Sequence, residues 1–269
     1  MRLFHYTDIN AIKSILTERK IWFTDLRYMN DSSELKDGIS TLMQAFKRWR
    51  GSLWAEKSYI KSAKKFIKEE LDAGFLEQVH CACSFSHSCD QLSQWRSYGK
   101  YILEFDQELL LNDLDKLHVC IYDKKIKEDK ALIAITKSVE VISKDMSQSD
   151  GCISVASLDQ VSSLYELAAT FKNEGFKEEN EVRAILKMDD TDENILYRTR
   201  ADLMIPYCEI PISLDSIKAV HVGPMHHQDL AFNSLWGFVR SVEKNYQEET
   251  GNIEFEIDVI QSTIPFRTL

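Results

Sequence analysis

The sequence predicts an α+β fold on three observations. Short strands with period-two alternation are interspersed with amphipathic helices, the two types follow no regular βαβ rhythm, and no G-x-G-x-x-G or phosphate-loop motif opens a helix. The chain has 269 residues, 44% of them hydrophobic and 28% charged, with four prolines and nine glycines, which is ordinary globular composition. That length can bury a real core, and a single domain over 1–269 is expected, with a helical insertion at about 33–76. Lys plus Arg number 33 against 43 Asp plus Glu, giving a net charge of −10. Such a chain has no global positive field to hold a polyanion, which disfavours general duplex or membrane-surface binding and leaves room only for a local basic site.

Residues 2–6 read as a strand, and Thr7 or Asp8 can cap a helix whose apolar positions Ile9, Ile12, Ile15 and Leu16 follow helical spacing. Ile21-Trp22-Phe23-Thr24 is a second short strand, followed by an Asn30-Asp31 pair that favours a turn. Ser32 or Ser33 can then cap a helical region over 33–76, where Leu35, Ile39, Leu42, Ala45, Phe46 and Trp49 form one stripe and Gly51-Ser52 marks a break. Residues 78–85, with Val79, Cys81, Cys83 and Phe85 in alternation, form a strand with one buried face, and a short helix around 92–98 and a strand at 101–105 follow. Further strands are expected at 119–122, at 179–187 and within 210–222, and helices at 127–146, 156–173 and 226–246. Ile253, Phe255, Ile257 and Val259 close the chain as a period-two strand. The six cysteines, at 81, 83, 89, 120, 152 and 208, form no doubled C-x-x-C pattern and complete no zinc spacing with the histidines. They read as reduced, mostly packed thiols, with no metal expected. The opening residues carry no signal-type apolar segment and no run of about 18 apolar residues occurs, so a soluble, cytoplasmic protein without a membrane partner is expected.

Three segments could carry chemistry. His5-Tyr6-Thr7 places an imidazole, a phenol and a hydroxyl where a strand ends and a helix N-terminus, with its free amides and positive dipole, begins. Glu179-Asn180-Glu181-Val182-Arg183 alternates so that Glu179, Glu181 and Arg183 share one strand face. Two carboxylates so placed repel and one pKa rises, unless Arg183 or a cationic ligand compensates; uncompensated, Glu181→Gln should raise thermal stability slightly. The pair suits a developing cation, such as an anomeric carbon losing its leaving group. Cys83-Ser84-Phe85-Ser86 offers two hydroxyls at i and i+2, close in sequence to Tyr98 and Gly99. Each segment also has a plain structural reading: packing for the first, a surface ion pair for the second and turn capping for the third.

Taken in order, F-H-Y-T-D-I-N-A-I-K-S-I-L, I-W-F-T-D-L-R-Y-M-N-D-S-S-E-L, C-S-F-S, L-S-Q-W-R-S-Y-G and F-K-E-E-N-E-V-R resemble the bacterial family called domain of unknown function 2971, over residues 3 to about 224. The late stretch I-K-A-V-H-V-G-P at 217–224 is part of the likeness. Many members carry a longer glycine-containing insert after the Tyr-Gly pair, whereas here Gly99 runs through Lys100 straight into a strand. The family is placed with the ADP-ribosyltransferase-like folds, which implies a split, strongly bent β-sheet core with surrounding helices and NAD held in the cleft as substrate.

By that resemblance His5 contacts a ribose, Ser84 and Ser86 occupy the serine motif of the nicotinamide pocket, and Glu181 is the catalytic acid, with Glu179 where the arginine-modifying branch has a second Glu. Tyr6 and Tyr28 are stacking candidates, Thr7 would fix the diphosphate, Tyr98 would line the site and Arg183 would set the ionisation of the glutamates. The implied function is NAD-dependent ADP-ribosyl transfer to a protein or nucleic-acid acceptor, as in a bacterial toxin or phage-defence effector with a cognate inhibitor. NAD hydrolysis, or a non-catalytic nucleotide- or protein-binding module of the same fold, are the alternatives.

Overall fold

The computed structural model describes residues 1–29, 32–51, 56–73 and 78–265. The expected Asn30-Asp31 turn, Ser52 and the side chains of Ser32, Ser33 and Glu34 lie outside the described residues. The chain runs β1 (Arg2–Thr7), α1 (Ile9–Glu18), β2 (Lys20–Asp25), α2 (Ser32–Arg48), α3 (Lys57–Ala73), β3 (Gln78–Ser86), α4 (Leu92–Ser97) and β4 (Tyr101–Asp106). It continues through α5 (Gln107–Leu110), β5 (Leu117–Val119), α6 (Lys124–Gln148), α7 (Val155–Ala169), β6 (Glu181–Asp189), β7 (Leu196–Arg200), β8 (Leu203–Pro211), β9 (Ile217–Val222), α8 (Gln228–Thr250) and β10 (Asp258–Gln261). Helix and open sheet are mixed throughout, as an α+β reading requires.

The strands form one sheet whose main path is β10-β9-β4-β1-β3-β2-β8-β7, with β6 and β5 branching from β3. β6 runs antiparallel along the whole of β3, from Gln78–Asp189 to Ser86–Glu181. The opposite edge of β3 is therefore shared: β1 meets it through Phe4–Ser86, while β2 meets it through Thr24–Ala82 and Asp25–Cys81. Between these contacts residues 83–85 have no strand beside them on that edge among the described residues, and the sheet parts there.

Two apolar layers cover the sheet. α1 and α8 bring Ile12, Ile15, Leu16, Leu235 and Val239 onto Cys81, Cys83 and Phe85 of β3 and onto Leu103 and Phe105 of β4. On the other face α2, α3, α6 and α7 pack together through residues such as Leu42, Ile67, Ile135 and Leu164 and reach the sheet at Ala82. β3 is thus buried on both faces, His80 and Ala82 being as covered as Cys81 and Phe85, where alternation had predicted one. A strand between two helical layers reads as a two-sided core element despite its polar residues. Gly99 fits where a side chain would not: its φ is +145°, and a Cβ there would lie 2.0 Å from the Thr7 carbonyl oxygen, so the Tyr98-Gly99 pair lets α4 close against the end of β1.

Several elements differ from expectation. β6 starts at Glu181 rather than 179, because a short 3-10 turn over Glu174–Glu179 ends on Asn180 with φ 45°, a conformation asparagine tolerates. β5 begins at Leu117, and Ile121 makes only an isolated parallel bridge to Phe171. The closing strand shrinks to Asp258–Gln261: Phe255 and Ile257 are buried, but the Ile257 amide donates to the Glu243 carboxylate of α8 at 2.8 Å instead of to a ladder. Finally, β7 and most of β8 were not expected, since Pro206 interrupts one and Leu196-Tyr197-Arg198-Thr199-Arg200 is largely polar. None of the six cysteines is in a disulfide, and four of them are buried. No helix of the described residues is long and apolar enough to cross a membrane.

Candidate functional site

A cleft of about 240 Å³ opens where the sheet parts. Its walls bring together His5 of β1, Ser84 of β3, Tyr98 after α4, Glu179, and Glu181 and Arg183 of β6, with Tyr28 and Tyr6 also at its border. Residues up to 178 positions apart in sequence meet because β1 and β6 lie on opposite edges of β3, so that Phe4 and Glu181 both register with Ser86.

At one end sits a closed set of charges. Glu181 is 5% exposed and its Oε1 accepts from Arg183 Nε at 2.6 Å; its Oε2 accepts from Arg183 Nη2 at 3.1 Å and from Lys172 Nζ at 2.5 Å. Lys172 also donates to Glu179 Oε2 at 2.6 Å, and Tyr98 donates to Glu179 Oε1 at 2.7 Å. Arg183 Nη1 is further anchored on the Ala169 carbonyl at the end of α7. Burial by itself would push the Glu181 carboxyl up, but the neighbouring Arg183 and Lys172 cations outweigh it and hold the pKa down at about 2. Burial likewise works against the Lys172 ammonium, and the Glu181 and Glu179 carboxylates outweigh that too, leaving its pKa above the ordinary lysine value.

The sequence reading of two repelling carboxylates on one strand face is corrected here. Glu179 sits on the preceding turn, and the compensating charge is a lysine as well as the arginine. Lys172 escaped notice because only the Ile121–Phe171 bridge brings it here, its amide donating to the Ile121 carbonyl at 3.0 Å. The one available signal was a lysine directly after the apolar Leu164, Leu167, Ala168 and Phe171 series.

At the parting of the sheet, His5 Nδ1 lies 2.9 Å from the Ser84 carbonyl oxygen. A carbonyl only accepts, so Nδ1 carries the proton and Nε2 is an acceptor. Burial lowers the His5 pKa, against the opposing effect of that hydrogen bond, which keeps the ring neutral. Ser84 Oγ is buried in the wall with no hydrogen-bond partner, a costly state for a hydroxyl unless a ligand supplies one.

Several expected ligand groups are used elsewhere. Ser86, only 2% exposed, donates to the Glu179 carbonyl at 2.6 Å and accepts from Gln94 Nε2 and the Ser88 amide, so it builds the turn behind the wall and does not line it. Tyr6 packs its ring edge-on against Trp95 with its hydroxyl on the Ser88 carbonyl, and is a core residue rather than a stacking face. Thr7 pairs with Tyr101 outside the cleft, and the α1 amides it was expected to share already bond the Asp8 carboxylate. Tyr28 remains an exposed ring at the cleft border.

Leu26, Trp22, Thr24, Arg198 and Arg200 line the opposite end, from β2, the turn after it and the unforeseen β7. Among the described residues no cluster of His, Cys, Asp or Glu is arranged to hold a metal ion.

No curated protein and no solved structure matches the chain. Residues 94–184 match one family model, a stretch that holds Gln94, Tyr98, Lys172, Glu179, Glu181 and Arg183 and leaves His5, Tyr28, Ser84, Ser86 and Arg198 outside it. That model describes a protein of unknown function, DUF2971, the same family that the ordered motifs of this sequence resemble.

Proposed function

We propose that the cleft binds NAD and that the chain is an ADP-ribosyltransferase acting on a macromolecular acceptor, in a split-sheet fold of the ADP-ribosyltransferase kind. The observation that carries the reading is the meeting of His5, Ser84 and Glu181 at the place where β1 and β2 part on the edge of β3. In the reaction the bond from the nicotinamide nitrogen to the ribose C1′ breaks, nicotinamide leaves with the bonding pair, and a nucleophile of the acceptor takes its place at C1′. The intermediate stage is oxocarbenium-like, so the protein must position a ribose and face it with negative charge rather than supply a nucleophile.

Glu181 fits that task. Its carboxylate has about four acceptor positions, three filled by Arg183 and Lys172, which leaves one on Oε1 for a ribose hydroxyl. His5 Nε2 accepts from a second hydroxyl, Ser84 Oγ completes its hydrogen bonding on the ligand, and Tyr28 offers a ring face. The pairing of Glu181 with two cations supports a second reading, a nucleotide-binding module without turnover, because neutralised charge stabilises a cation less.

Incubation with NAD labelled in its adenylate half separates these. Label on protein or nucleic acid together with released nicotinamide supports transfer. Free ADP-ribose alone means hydrolysis, binding without nicotinamide release means the module, and absence of binding removes NAD from the account.

A further inference from the structure

We propose that Arg198, fixed against Trp22 and Thr24 on the β2–β8–β7 side of the cleft, is a phosphate-binding subsite that takes the diphosphate of a nucleotide, an assignment that rests on the nucleotide reading of the opposite end. β7 ends the path of the sheet and, among the described residues, pairs only with β8, in the register Arg198–Ile205 and Arg200–Leu203. Arg198 and Arg200, two apart on a strand, stand on the same face, and both line the cleft.

The guanidinium of Arg198 is held in place without being neutralised. Nη2 donates to Thr24 Oγ1 at 3.0 Å, and the group lies 5.4 Å over the Trp22 ring, which is itself packed on Tyr207 at 4.6 Å. Nε is buried with no hydrogen-bond partner. Among the described residues no carboxylate pairs with Arg198, although the chain is acidic overall and Arg2, Arg19, Arg27, Arg183 and Arg240 each have one. Burial, and after it the positive charge of Arg200, work against the Arg198 cation, and an anion bound beside it relieves both costs.

A planar fork with a fixed orientation and a free Nε–H matches two oxygens of a phosphate at once, and with a ribose assigned to the Glu181 end the phosphate that can reach it is the diphosphate of the same nucleotide. A phosphate at Arg198 and a ribose at Glu181 set the polarity of the bound nucleotide: its phosphates point to β7 and its ribosyl end to β6.

Calorimetric titration of the full chain with ADP and with adenosine, at low ionic strength, tests the subsite. ADP is expected to bind more tightly than adenosine, and Arg198→Gln to lose at least tenfold in ADP affinity with adenosine unchanged. Arg198→Lys, which keeps charge but not the fork, should fall between and serves as the readout if circular dichroism finds the Gln variant unfolded. Equal affinity for ADP and adenosine, an ADP affinity untouched by both variants, or no ADP binding overturns the proposal. Nicotinamide release is read separately. ADP binding that depends on Arg198 without turnover leaves the subsite and removes the transferase, and turnover with ADP binding indifferent to Arg198 does the reverse.

Discussion

The two ends of the cleft handle positive charge in opposite ways. At the β6 end, Lys172 and Arg183 are buried and each contacts Glu181, with Glu179 and Tyr98 extending the set. At the β7 end, Arg198 is oriented by a hydroxyl and an indole and meets no carboxylate of the described residues. A closed network of ionised hydrogen bonds fixes its members in space and gains little from a further ion, while an oriented, unneutralised cation gains a great deal. Precision therefore resides at β6 and affinity at β7.

The largest effect should come from opening the closed end. Glu181→Gln keeps shape but takes away the carboxylate that Lys172 and Arg183 share in the buried cluster, and removing one partner of a buried pair costs about 3–5 kcal/mol. Urea unfolding should show that loss, the reverse of the small gain expected if two carboxylates merely repelled each other. Under the transferase reading nicotinamide release should fall on the order of a hundredfold or more, beyond any loss from unfolded protein, as for other groups aimed at transition-state charge. Lowered stability with unchanged release per folded molecule would make Glu181 a scaffold residue.

Acidification probes the same end more gently. The Glu181 carboxyl, ordinarily near 4.5, titrates at about 2 when folded, so its contribution is complete above pH 4.5 and is lost as pH falls toward 2. His80, buried on Tyr165 and Ser162, is lowered from 6.5 to about 4 and neutral His5 is lowered as well. Both are depressed bases whose unfolded forms take up protons first, so their part of the stability begins to fade below pH 6.5. Urea midpoints should therefore decline in two stages, from about pH 6.5 to 4 and again below 4.5, and a midpoint flat down to pH 4.5 would contradict the buried, neutral state of these histidines.

The contrast between the ends is also a contrast in what the sequence discloses. Alternating apolar residues mark β1, β3 and β4, and charged or polar groups on or beside such strands, His5, Ser84, Glu181 and Arg183, stand out against that pattern. Their meeting was an expectation of the family resemblance, not of the strand pattern, and it also put Ser86 in the cleft, which Ser86 does not line. β7 and β8 carry no such background: a polar pentapeptide and a strand holding Pro206 acquire their ladder only from each other and from β2. Arg198 was invisible for that reason. Lys172 was hidden by a different cause, a single parallel bridge joining segments 50 positions apart, which leaves no periodicity to read. Motif spacing likewise fails to tell a serine that faces the cleft from one that faces a turn.

That last distinction gives the smallest and most discriminating effects. Ser84 and Ser86 stand two apart in one motif, yet the structure gives them opposite accounts. Ser86 Oγ is an acceptor for Gln94 Nε2 and the Ser88 amide and a donor to the Glu179 carbonyl, so Ser86→Ala strands buried groups and should cost about 1–3 kcal/mol. Because those bonds shape the turn that carries Glu179, nucleotide affinity should weaken indirectly. Ser84→Ala removes a buried hydroxyl that bonds nothing, so its stability should stay within about 1 kcal/mol of the parent and on the stable side. A binding loss in Ser84→Ala without a stability loss identifies a hydroxyl reserved for a ligand. Thermal unfolding and NAD titration on the same two preparations resolve the pair, and a Ser84→Ala chain that is markedly less stable would show that Oγ already has its partner within the protein.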